Sequence, residues 1–163
     1  MKNRIKMRCV LGMLCVVSLA VVVFAEEPQD LNCDFESGLK KWRGDGRLKE
    51  DEKGNKVCQL KKKGKRRAEI THKIELPGDL AFDIHYRVRA LQGSEKVKVR
   101  HSVRNSKGAG FVTKDLKGDG QWVDMKFSAK AAEGDRKSDR IIAIIFYEGE
   151  GVIQVDDIKV VAK

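Results

Sequence analysis

The chain is predicted to fold as an all-β protein, a jelly-roll β-sandwich of two antiparallel sheets. Three observations predict this. Short apolar runs alternate with period two, as half-buried strands do. Glycines stand between the runs at turn-like intervals, from Gly44 and Gly46 to Gly149 and Gly151. After residue 25 no segment carries a helical stripe, and the only prolines are Pro28 and Pro77. Many short strands separated by turn signals read as a sandwich or jelly roll.

Residues 1–25 are expected to lie outside that fold. Lys2, Arg4, Lys6 and Arg8 form a basic start, and Val10 to Phe24 is apolar. Val23-Phe24-Ala25 is an A-x-A-like end before Glu26. This is a secretory signal peptide cleaved after Ala25. An uncleaved anchor is the alternative, but the apolar run is short for a span. The expectation is a single domain over 26–163, secreted or periplasmic, with membrane contact only through the cleaved signal.

The full chain has 34 basic and 24 acidic residues and a net charge of +10. Four basic residues and no acidic ones leave with the signal, so the mature charge is +6. A modest positive field outside the cell favours acidic polysaccharides, cell-wall polymers or lipid headgroups. Nucleic acid is not expected as a partner, because no interleaved aromatics or recognition module are visible.

Cys9 and Cys15 also leave with the signal, and Cys33 and Cys58 remain. An export compartment permits disulfides, and one pair allows one connectivity. Closing that loop would contribute roughly 3.5 kcal/mol on the chain-entropy estimate. Two buried free thiols are the alternative.

The elements follow in order. Val57 to Leu60 and Ala68 to Ile70 flank the basic turn Lys61 to Arg67. In Leu80 to Ala90, Phe82, Ile84, Tyr86 and Val88 share one face, and Asp83, His85, Arg87 and Arg89 share the other. Glu95 to Val103 sets Val97, Val99 and Val103 against Lys98, Arg100 and Ser102. Trp122 to Phe127 sets Val123, Met125 and Phe127 against Trp122, Asp124 and Lys126. Ala129 to Asp139 is polar and reads as a loop. Ile141 to Tyr147 is apolar on both faces, as a strand covered on both sides is.

The last strand, Val152 to Val161, holds the adjacent pair Asp156-Asp157 inside a β-branched run. One of the two should face inward or sit at a strand kink, where an unpaired charge is costly. A bound hard cation such as calcium, a lysine or backbone amides could each answer it.

Asn32-Cys33-Asp34-Phe35-Glu36-Ser37-Gly38, followed by Trp42, resembles the opening of jelly-roll carbohydrate-binding modules of the cellulase- and xylanase-associated type. These are galactose-binding-like β-sandwiches. Leu76-Pro77-Gly78 before Phe82 to Ala90, Gly120 to Phe127, Ile142 to Phe146 and Val155 to Val160 match further family segments in order. The resemblance implies a non-catalytic module that binds polysaccharide or another glycan. It also implies a structural calcium joining the first and last strands, with Glu36 and Asp156 as carboxylate ligands and other oxygens completing the shell. Asp157 would hydrogen-bond a neighbouring loop.

A glycan groove would use an aromatic platform and a few orienting polar groups. Trp42 and Tyr86 are expected in the core. Trp122 and Tyr147 are the candidates for the outward face, together with Asp83, His85, Arg87, Arg89, Lys98 and Arg100. Arginine forks suit carboxylate or sulfate, which points to an acidic glycan. An ordinary solvated face with cross-strand charge pairs is the plainer explanation. His72, His85 and His101 accompany no nucleophile motif and lack zinc-ligand spacing, so no enzyme activity is expected. The rival class is an envelope structural or protein-interaction sandwich that binds no sugar.

Overall fold

The computed structural model describes residues 35–76, 81–104, 111–130 and 138–163. The signal segment and Cys33 lie outside these residues, as does most of the expected 129–139 loop. The strands are β1 (Trp42–Gly44), β2 (Arg47–Glu50), β3 (Lys56–Lys62), β4 (Ala68–Leu76), β5 (Ala81–Ala90), β6 (Glu95–Arg104), β7 (Phe111–Leu116), β8 (Val123–Lys130) and β9 (Ser138–Ala162). No helix occurs among the described residues.

The strands form two antiparallel layers. Sheet A runs β1-β4-β9-β6-β7 and sheet B runs β2-β3-β9-β5-β8. Strand β9 belongs to both. Its first half pairs with β4 and β6, and its second half with β3 and β5. The two apolar runs expected as separate strands are therefore one strand that changes layer. The crossing falls at Gly149 and Gly151, which have φ of 89° and 120°. A Cβ at Gly149 would collide with the Glu95 and Lys96 carbonyls, and one at Gly151 with Ser94. Only glycine accepts both the conformation and the close approach.

The core lies between the layers. Phe82, Ile84, Tyr86 and Val88 of β5 and Val97, Val99 and Val103 of β6 point into it, as their period-two pattern predicts. Ile142, Ile144 and Phe146 join them from β9. Each such side chain contributes about 1.5–3 kcal/mol when fully buried. Trp42 is core, stacked on His72 with ring centroids 4.9 Å apart. His101 is core as well. Its Nδ1 lies 2.7 Å from the Tyr86 hydroxyl, and its ring stacks on Phe127 at 4.0 Å. Burial pushes the His101 pKa down to about 4 and raises that of Tyr86.

Strands β1, β2 and β7 were not foreseen. They are short edge strands with mostly exposed residues, so they carry little apolar alternation. Cys58 is a fully buried free thiol with its pKa pushed up to about 12 by burial. The expected disulfide is thus not seen, and Cys33, its proposed partner, lies outside the described residues.

Candidate functional site

The Asp156-Asp157 anomaly resolves into a β-bulge. The β5–β9 register shifts between His85 and Arg87, and Asp157 takes a left-handed φ of 50°. The extra residue lets Ile158 return to the core while both carboxylates meet Arg87 of β5. Arg87 Nη2 donates to Asp156 Oδ2 at 3.2 Å, and Arg87 Nε faces Asp157 Oδ2. Burial raises the Asp156 pKa to about 6, opposed by the Asp157 backbone amide and by Arg87 and aided by the Asp157 charge. Oδ1 of Asp156 is buried with no hydrogen-bond partner among the described residues.

The calcium expectation has a partial fit. Unpartnered Asp156 Oδ1 suits a cation, yet the Arg87 guanidinium already holds the other oxygen of that carboxylate. Glu36 Oε1 accepts the Lys56 amide at 2.8 Å. No group of three or more His, Cys, Asp or Glu that could hold a metal occurs among the described residues.

Next to the bulge, the outer face of sheet B carries a row of polar side chains. Arg47 lies opposite Gln59, Gln59 opposite Gln154, and Gln154 opposite Arg89. Arg89 Nε donates to Gln154 Oε1 at 2.8 Å, and both residues are buried. Trp122 closes the row. Its ring lies 4.7 Å from the Arg89 guanidinium carbon and 5.1 Å from that of Arg87.

Two loops, with Leu91 and Gln92 of the β5–β6 turn, build a cleft of about 640 Å3 over this end of the row. One spans residues 51–55. Asp51 Oδ1 accepts the amides of Lys53 (2.8 Å) and Asn55 (2.9 Å). Burial is the largest single influence and pushes upward, but the Lys53 and Asn55 amides, the Asn55 side chain and Arg89 together hold Asp51 below the usual carboxylate range. The other loop precedes β8. Asp119 Oδ1 accepts the Gln121 amide at 3.0 Å, and Gly120 N donates to Ala90 O at 2.9 Å. Trp122 is half-buried on the cleft wall, with Asp51, Glu52, Asn55, Asp119 and Gln121 nearby. Acidic and basic groups are mixed here, so the cleft offers hydrogen bonds without a strong net field.

The six side chains expected in one binding face are divided between the two layers. Asp83, His85, Arg87 and Trp122 lie on the sheet B side. Arg100 and Tyr147 lie on sheet A, because β6 and the first half of β9 belong there. Lys98 goes with them, bound to Glu148 at 2.8 Å. Period two tells which face of its own sheet a residue occupies, and it does not tell which sheet the strand joins. Asp83 is already engaged by Lys126 and Lys163, each at 2.8 Å, and by Ser128 at 2.6 Å. These three partners hold its carboxyl far below the usual range. His85 lines a shallow depression beside Lys126 and Lys159. On sheet A, the Arg100 guanidinium lies 3.5 Å from the Tyr147 ring centroid and 4.1 Å from that of Phe111. Sequence reasoning missed Phe111, Asp51 and Gln154. Only the Asp-x-x-x-Asn turn spacing at 51–55 could have pointed to one of them.

No family model and no curated protein match the sequence. Solved structures do. A family 61 carbohydrate-binding module in complex with β-1,4-galactotriose superposes with TM-score 0.62 at 17% identity, over 84% of this chain and 99% of that one. A family 4 module gives 0.56 at 15% identity, over 79% and 99%. The C-terminal family 22 module of Clostridium thermocellum Xyn10B gives 0.59 at 12% identity, over 83% and 96%. The two-layer topology and these matches together establish that this chain has the jelly-roll fold of carbohydrate-binding modules.

Proposed function

We propose that the chain is an exported, non-catalytic module that binds polysaccharide in the Trp122 cleft on the outer face of sheet B. The observation that carries this reading is the half-buried indole on the wall of a cleft whose polar groups are already held in place. An aromatic face packs against the C–H face of a sugar ring, and fixed carboxylate and amide groups orient its hydroxyls. Preorganisation limits the ordering cost of binding. The fold shared with modules such as the galactotriose-bound one is consistent with this use, although a fold does not dictate a function.

Export follows from the signal-peptide pattern of residues 1–25. An oxidising compartment would pair Cys33 with Cys58. Structural calcium remains part of the proposal, resting on Asp156 Oδ1. The acidic preference does not rest on Arg87, because Asp156 and Asp157 occupy its guanidinium.

A glycan-array screen of residues 26–163, with neutral and acidic polymers, tests the reading. Trp122→Ala should weaken binding roughly tenfold or more while the domain stays folded at the assay temperature. No binding to any glycan at high protein concentration would sink it. That outcome would favour the envelope structural or interaction domain, a reading supported by how many outward charges, Asp83 and Arg87 among them, already have internal partners.

A further inference from the structure

A second cleft, about 780 Å3, opens at the other edge of sheet B, between the β1–β2 connection and the β3–β4 turn. Arg47, Lys49, Lys61, Lys63, Arg66 and Arg67 line it, and Asp45 is the only carboxylate among its described lining residues. Arg66 lies 3.7 Å from Asp45, and Arg67 lies 3.7 Å from Glu69. Arg47, Lys49, Lys61 and Lys63 are exposed and have no carboxylate partner among the described residues. Converging like charges raise a positive potential that an anionic ligand relieves. The turn is tied down from within. Lys62 Nζ donates to the carbonyls of Gly64 (2.6 Å) and Gly149 (2.8 Å), and Gly64 N donates to Glu150 at 3.0 Å.

The cleft is also in line with the first one. The row Arg89, Gln154, Gln59, Arg47 crosses the outer face of sheet B in register and ends at this basic edge. Three strand spacings separate β5 from β2, about 14 Å. A polymer seated on Trp122 and laid along the row would reach the four free cations. No aromatic is among the described residues that line the basic cleft, and these offer no platform for nucleobase stacking. Its concave form suits a chain better than the plane of a bilayer.

We infer that this cleft is an anion subsite for the same polysaccharide, taking carboxylate or sulfate groups carried on the sugars while the Trp122 cleft takes a sugar ring. The inference rests on the reading of the Trp122 cleft as a sugar site.

The test compares polymers that share a backbone: polygalacturonate against its methyl ester, and dextran sulfate against dextran. Titration calorimetry would be run with residues 26–163 at low and high salt. The expected result is a preference of roughly fivefold or more for one acidic form. Which pair shows it separates carboxylate from sulfate. The preference should shrink at about 1 M salt, where the screening length falls to about 3 Å. Lys61→Gln combined with Lys63→Gln, two exposed cleft cations outside the row, should remove the preference and leave binding of the neutral polymer intact, whereas Trp122→Ala should weaken both. Circular dichroism confirms folding of each variant. Equal binding of charged and neutral forms overturns the subsite and leaves the sugar reading standing. Binding of none of the four polymers overturns the subsite, and the sugar reading falls with it where the glycan array is also empty. Acidic-polymer binding that survives Trp122→Ala and is matched by duplex DNA or anionic vesicles overturns the inference in favour of unspecific polyanion contact.

Discussion

Arg87 Nη2 sits 3.2 Å from Oδ2 of Asp156, and with the Arg87 Nε–Asp157 pair this contact ties the β5 strand to the bulge of β9. Asp156 is buried while the arginine is 38% exposed, so the two ends of the pair are not equivalent. Removing the cation strands a buried carboxylate, whereas removing the carboxylate leaves a guanidinium that water can reach.

Arg87→Ala is accordingly expected to destabilise the fold by about 1–2 kcal/mol, and Asp156→Asn by less. Thermal unfolding of both variants checks the order. Repeating the melts with chelator addresses calcium. A chelator-dependent drop in wild type that Asp156→Ala abolishes supports the ion, and superimposable wild-type curves with and without chelator count against it.

Asp156 and His101 set opposite pH dependences over overlapping ranges. The Asp156 pKa is about 6 in the folded protein, against an ordinary value of 3.8. The native state therefore holds that proton more tightly, and stability falls as pH rises from about 4 to 6. The His101 pKa is about 4 when folded, against 6.5. Here the unfolded state takes the proton first, so stability falls as pH drops from about 6.5 to 4. Denaturant midpoints across this range should show Asp156→Asn gaining stability relative to wild type as pH rises. His101→Phe should lose the acid-side fall despite leaving the Tyr86 hydroxyl without its partner. Parallel curves for all three proteins would refute both assignments.

The sheet crossing makes its own prediction. Gly149→Ala forces a Cβ into the Glu95 and Lys96 carbonyls at a left-handed φ, and should cost more than about 2 kcal/mol. Gly93→Ala is the control. It has a similar φ of 80° with nothing within 4 Å of the added atom, so it should cost only about 1 kcal/mol. Equal melting temperatures for the two would remove the steric account of the crossing.

Cys58 reports on both burial and export. In reduced protein the thiol should be inert to a thiol reagent until the chain unfolds, because burial holds it protonated. Protein recovered from an oxidising compartment should show no thiol after denaturation and two after reduction. Two thiols before reduction would show that Cys33 and Cys58 stay unpaired.

Much of the fold was legible in the sequence. The alternation in Phe82 to Ala90 placed Tyr86 inside and Arg87 outside, and the structure agrees. Trp42 read as core and is core. The edge strands were not legible, because Arg47 to Glu50 and Phe111 to Leu116 bury too little to need an apolar face. The site was half legible. Trp122 and Arg87 were named and do meet, but Tyr147 and Arg100 meet each other on the opposite layer.

The sequence by itself determined the class of fold, the inward and outward faces of the long strands and the strain at Asp156-Asp157. These are local properties, set by side-chain alternation and by the cost of burying charge. Only the tertiary structure decided that β9 serves both layers, that Arg87 answers the paired carboxylates, and that Arg47, Gln59, Gln154 and Arg89 form one row. Those facts depend on which distant strands pair and in what register, and the period-two pattern of a single strand is compatible with either sheet.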